Sequence, residues 1–284
     1  MAVLLALCSA LAYGLSDFLG GVLSRRTSAW AVAVVAQTSS ASCTGVVALF
    51  VHAHPAAADF RWALLAGVGS GVGTGFLYRG FAAGRMGVVA PVSAVGAALV
   101  PVLTGAVTGE RPAPLVWVGV VAALPAIWLV SSAPASVATE PPPGTGWPVT
   151  AGLVDGVLAG LGFGLLFAAL GQVPPTAGWW PLAVCQAVSV PCVILLAVVL
   201  RAAWVPRGPT VRLACLAGPL GATATGLFLL ASQRGYLTVA GVLASLYPAS
   251  TVLLAALVLH EKVHRVQAVG LGLCVVAVAL VAGG

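Results

Sequence analysis

The sequence predicts an all-α integral membrane protein of about ten transmembrane helices, arranged as two inverted five-helix repeats. Three observations predict it. Hydrophobic residues make up 61% of the chain and charged residues only 6%, where a soluble domain carries about 25% charged residues. The apolar residues fall into successive stretches of about 20, the length that crosses ~30 Å of hydrocarbon. The second half of the chain also repeats unusual residues of the first half in register.

The apolar stretches run Ala2 to Leu23, Ala29 to Val51, Trp62 to Ala83, Val88 to Thr108, Leu115 to Ser131, Trp147 to Leu170, Trp179 to Leu200, Val211 to Gln233, Val239 to Leu259 and Val263 to Val281. The first has no basic region before it and is longer than a signal-peptide core, so it is expected to be retained. Between the fifth and sixth, SSAPASVATEPPPGTGWP (Ser131 to Pro148) is too rich in proline to continue a helix. It reads as a linker, giving a first repeat over 1–132, a Pro-rich linker over 133–146 and a second repeat over 147–284.

Sliding one half over the other brings Gln37 and Cys43 onto Gln186 and Cys192. Arg61, Gly67, Thr74 and Gly75 meet Arg212, Gly218, Thr225 and Gly226, and Glu110 and Gly119 meet Glu261 and Gly270. Matches among Ala, Val and Leu are cheap in such a chain, but those of Gln, Arg and Glu are not. Five spans per half is an odd number, so the second half must enter the membrane from the opposite side. Inverted repeats of this kind place a solute site at the seam between halves, where rocking can open it to either side.

The net charge of +6 does not point to nucleic acid, because the basic residues stand singly or in pairs at span ends. They read as interfacial anchors beside membrane lipid. Lys262 is the one lysine among twelve basic residues, Asn is absent and Ile is scarce; this bias fits a GC-rich bacterial genome and a bacterial cytoplasmic (inner) membrane. The six cysteines lie in apolar stretches without a C-x-x-C pair, so they read as small hydrophobes, and no cofactor is expected.

Lipid supplies no hydrophobic drive between helices, so close packing needs small residues. Rows recur every four residues: Gly67, Gly71, Gly75; Gly218, Ala222, Gly226; Gly152, Gly156, Gly160, Gly164; and Ala6, Ala10, Gly14. Prolines inside spans, at Pro91, Pro101, Pro125, Pro191, Pro219 and Pro248, each remove an amide donor and predict kinks.

Polar residues within the spans are the candidate site, since a charge at the bilayer centre costs ~2.5 to 3.5 kcal/mol on insertion scales. Of six acidic residues, Asp17 and Asp155 lie inside spans. Each is a candidate proton-coupling or cation-binding carboxylate, with Arg79 or Arg234 as a partner, and each has a capping or snorkelling role as its plain alternative. Gln37 and Gln186 hold equivalent positions and can bond across helices or to a solute. Tyr13, Ser16, Tyr78, Ser93, Ser232, Gln233, Ser245 and Tyr247 add donors and aromatic surface for a mostly apolar cavity.

His260, Glu261 and His264 match H-E-x-x-H, which would make an intramembrane zinc metalloprotease with two imidazoles on one helical face. Against this, the motif straddles the junction of two spans, no acidic residue follows as a third ligand, and the repeat partner reads Gly109, Glu110, Arg111. A non-transporting membrane scaffold is the other alternative; it would carry sizeable soluble loops.

The segments FLYRGFAAGRMGVVAPVSAVGAALVPVLTGAVTGERP (Phe76 to Pro112) and QRGYLTVAGVLASLYPASTVLLAALVLHEKVHRVQAVGLGL (Gln233 to Leu273) resemble the EamA-like members of the drug/metabolite transporter superfamily, as does YGLSDFLGG (Tyr13 to Gly21). The likeness spans nearly the whole chain. It implies a ten-helix fold of two inverted repeats with a central cavity, and secondary active transport of a small metabolite or drug-like solute. A proton or another ion as coupling partner stays open, as does oligomeric state. The chain departs from the pattern at His260, where Gly is expected, and at Ala97, which lacks the counterpart of Pro248. Orientation has two readings. The odd loops carry most of the basic residues, which by the positive-inside rule puts both termini outside, whereas the family's usual arrangement puts both inside.

Overall fold

The structure is a computed structural model that describes residues 1–83, 86–131, 149–250, 253 and 264–284. Among the described residues it is all helix and loop, with no strand. We number the helices α1 (Ala2–Ser24), α2 (Ala29–Phe50), α3 (Ala57–Ala82), α4 (Met86–Val107), α5 (Pro114–Ser131), α6 (Val149–Leu170), α7 (Trp180–Val199), α8 (Pro209–Ser232), α9 (Leu237–Ala244) and α10 (Arg265–Gly283). Seven of these, all but α3, α5 and α9, contain stretches long and apolar enough to cross a membrane. The helices α5 and α9 are apolar but shorter, whereas α3 is diluted by its glycines and by Asp59, Arg61 and Arg79.

The helix starts follow from caps. Ser28 Oγ accepts the Ala31 N–H of α2 and donates to the Ala203 carbonyl across the bundle. At α3 the Asp59 carboxylate accepts the Ala56 N–H at 2.7 Å, so the helix begins at Ala57 rather than at the first continuous apolar residue, Trp62. Gln267 Oε1 accepts the His264 N–H at 3.1 Å where α10 begins. The helix α9 halts at Ser245 and Leu246 before helix resumes at Tyr247. There the Ser245 hydroxyl donates to the Gly241 carbonyl, and Pro248 has no N–H to continue the ladder.

The chain direction can be traced from contacts between loops. His54 N–H donates to the Thr176 carbonyl at 3.0 Å, Gln233 Nε2 donates to the Val173 carbonyl, Gly235 packs on Ala2 and Gly284 on Val116. These contacts gather both termini and the α2–α3, α6–α7 and α8–α9 loops at one end of the bundle. The Ser28–Ala203 contact joins the α1–α2 and α7–α8 loops at the other. Thus α1 begins where α6 ends.

The helix pairs obey a symmetry. Helix α3 packs on α6 and α7, α1 on α8 and α9, α2 on α7 and α8, α4 on α6 and α9, and α5 on α10. Exchanging each helix for the one five places on returns the same set of pairs. Close approach at the α3–α6 crossing requires glycine: a Cβ on Gly162 would stand 2.4 Å from the Gly73 nitrogen, inside any van der Waals contact. The sequence row Gly156, Gly160, Gly164 faces α4 instead, so α6 presents small residues on two sides.

The linker 133–146 lies outside the described residues, as do His260, Glu261, Lys262 and Val263 of the H-E-x-x-H match. Among the described residues no three His, Cys, Asp or Glu side chains gather to hold a metal.

Candidate functional site

A polar cavity of about 30 Å³ lies where the two halves meet, lined by α1, α2 and α3 from one and α6, α7 and α8 from the other. That is room for one or two water molecules. Of the residues singled out in the sequence, it brings together Tyr13, Ser16, Asp17, Gln37, Tyr78 and Gln186. It adds Ser40, Ser70, Thr74, Thr225, Phe163 and Leu166, which sequence reasoning did not assign to a site. The repeat register had already matched Thr74 to Thr225, and that was the available signal.

Each amide is held by a hydroxyl on a neighbouring helix. Gln37 Nε2 donates to Ser70 Oγ at 2.8 Å and Thr74 Oγ1 at 3.2 Å, and Gln186 Nε2 donates to Thr225 Oγ1 at 3.4 Å. The Gln37–Thr74 and Gln186–Thr225 pairs are counterparts in the two halves. The same symmetry appears one residue further on, where Gly75 takes the ring of Trp30 and Gly226 that of Trp179.

Hydroxyls of α1 tie it to α8: Ser9 Oγ donates to the Ala224 carbonyl at 2.7 Å, Ser16 Oγ donates to Ala217 O at 3.1 Å, and Tyr13 Oη donates to Thr225 Oγ1 at 2.9 Å, the Thr225 hydroxyl itself donating to the Gly221 carbonyl. The Tyr13 ring meets Phe167 edge-on, and Phe167 stacks on Phe228 at 4.3 Å. Tyr13 joins this aromatic row to the cavity wall.

Asp17 is 8% exposed and lines the cavity. Among the described residues none hydrogen-bonds or ion-pairs with it, and none of the cavity's lining residues is basic. Two further buried oxygens of the lining, Gln186 Oε1 and Ser40 Oγ, have no hydrogen-bond partner.

The remaining candidates stand elsewhere. Arg79 donates Nε–H to Asp155 Oδ1 at 2.8 Å and also reaches it through Nη2; its guanidinium lies over the Phe76 ring. Asp155 is therefore a neutralised carboxylate at the α3–α6 contact, and Arg79 rather than Arg234 is its partner. Arg234 donates to the Leu230 carbonyl on its own helix. Tyr247 bonds Ser93 through its hydroxyl at 2.8 Å, with its ring beside Tyr13. Gln233 sits at the far end of α8, holding the α6–α7 loop. Ser232 and Ser245 turn back on carbonyls of their own helices.

Glu110 has a role the sequence did not disclose. Its two carboxylate oxygens accept the Leu237 and Thr238 N–H groups, at 2.5 and 2.9 Å, so a residue of the first half caps a helix of the second. A carboxylate suits the positive end of a helix dipole. Gly105 leaves it room, since a Cβ there would stand 2.3 Å from Glu110 Oε2.

An all-helical bundle with several membrane-length apolar helices and a polar cavity where its halves meet defines a multi-pass membrane protein of the transporter kind. The profile of the EamA-like transporter family matches residues 1–132 and 179–283, well over half of the chain, and the protein belongs to that family. It is a family of transporters of small solutes and not of enzymes. A solved crystal structure aligns with a TM-score of 0.70 over 98% of this chain and 95% of its own length, at 18% sequence identity, and so shares the fold. No curated protein matches the sequence.

Proposed function

We propose that the protein is a secondary active transporter that moves a small metabolite or drug-like solute across a bacterial cytoplasmic membrane by alternating access. In this reading ten helices cross the bilayer as two inverted repeats, 1–132 and 147–284. The observation that carries it is the position of the polar cavity. It is built from three helices of each half, with matched Gln–Thr pairs facing it, so a relative rotation of the halves would change its access without dismantling either. The opposite senses of α1 and α6 and the exchange symmetry of the helix pairs support the inversion.

The test needs no knowledge of the solute. Ser40→Cys, in a background with the native cysteines replaced, is challenged with a membrane-impermeant maleimide from each side of sealed vesicles. Labelling from both sides is expected. Labelling from one side alone, or from neither, overturns alternating access at this cavity.

A further inference from the structure

We propose that the cavity is a site for a small organic ammonium ion, held by Asp17. The inference rests on the carrier reading only in taking the same cavity as the place of the solute.

The charge of the wall, with the oxygens left open on it, decides the class of guest. Part of its donor capacity is committed: Gln37 Nε2 to Ser70 and Thr74, one N–H of Gln186 Nε2 to Thr225, and Ser16 Oγ to the Ala217 carbonyl. Open on the wall are the Asp17 carboxylate, the Gln186 carbonyl oxygen and the Ser40 hydroxyl, the last two buried without a partner. A buried acceptor left without a partner costs free energy and a carboxylate costs more, so an empty or apolar-filled cavity leaves these groups uncompensated.

An anionic guest would meet a carboxylate and no basic side chain. A neutral apolar guest would satisfy none of the three oxygens. An ammonium group brings a positive charge and up to three N–H donors, one for each open acceptor. The rings of Tyr13, Tyr78 and Phe163 complete the lining, and aromatic faces attract such cations most strongly where water is excluded. Asp155 offers no rival site, because Arg79 already neutralises it.

Thermal unfolding of the full-length protein in detergent, with methylammonium, methanol and formate as probes of similar small size and three charges, tests the proposal. Methylammonium alone should raise Tm, and Asp17→Asn should weaken its apparent affinity about tenfold or more. Should Asp17→Asn not fold, Gln186→Glu adds a second acidic acceptor and should tighten methylammonium. Equal stabilisation by formate or methanol, an equal effect of sodium or potassium chloride, wild-type affinity in Asp17→Asn or no tightening in Gln186→Glu each overturns it. Failure of the carrier reading is separable. Methylammonium bound through Asp17 with Ser40→Cys labelled from one side alone would sink transport and leave the ammonium site standing, and two-sided labelling without ammonium preference would do the reverse.

Discussion

Asp17 and Asp155 are buried to nearly the same degree, 8% and 3% exposed, in one small apolar protein, yet their surroundings differ in kind. Around Asp155 everything is finished: Arg79 makes the ion pair, Phe76 covers the guanidinium, and the α3–α6 crossing is drawn tight by Gly69, Gly73 and Gly162. Around Asp17 the contact between the halves is left open, with a cavity, no cation among the described residues of its lining and two further unpaired oxygens. A buried charge costs free energy wherever it lies. At one place the fold compensates it, and at the other the compensation is left to a guest. That difference separates a residue that holds the bundle together from one that the bundle keeps available.

The comparison breaks most visibly when the finished pair is cut. Arg79→Ala strands Asp155 in the interior and is expected to destabilise the protein by about 3–5 kcal/mol. The double variant Arg79→Leu/Asp155→Leu should recover most of that loss in thermal unfolding. If Arg79→Ala unfolds with the wild-type protein, Asp155 is not a structural carboxylate.

Next in size is the crossing itself. Gly162→Ala puts a methyl 2.4 Å from the Gly73 nitrogen and should cost about 1–3 kcal/mol by overpacking, read again from Tm. An unchanged Tm would mean that α3 and α6 can separate without loss.

A smaller effect is expected at the cap between halves, where Glu110→Gln removes the charge but keeps one acceptor and should cost about 0.5–1 kcal/mol. Hydrogen exchange at the Leu237 and Thr238 amides should quicken locally, and unchanged protection there would argue against the cap.

The smallest stability effect, and the most telling, belongs to Asp17. Removing an uncompensated charge without breaking any bond should leave Tm equal to wild type or higher, within about 1 kcal/mol, while solute movement in proteoliposomes falls to background. A large loss of stability in Asp17→Asn would erase the contrast with Asp155.

Much of this was written along the chain. Composition and the lengths of the apolar runs determine a helical membrane protein, because backbone polar groups in hydrocarbon must be satisfied within each segment. The register of Gln37 with Gln186 and Thr74 with Thr225 announces the matched pairs that now face one cavity. Other features could not be read there, since they depend on which helices meet. The rows of small residues marked surfaces for close packing, but not that Gly162 would find Gly69 and Gly73, because a row on one helix does not name its partner. Glu110 looked like an end-of-span residue, and its service to α9, far away in the chain, exists only once the halves dock.

The same limit applies to the two acids. A single sequence marks Asp17 and Asp155 as costly and offers Arg79 and Arg234 as partners, because depth in the membrane follows from position along a helix. Which acid receives the guanidinium is a matter of rotation about helix axes and of the crossing of α3 with α6, and only the tertiary structure decided it. Periodicity along the chain sets what each helix can offer; the packed bundle alone sets which offers are taken up and which remain open.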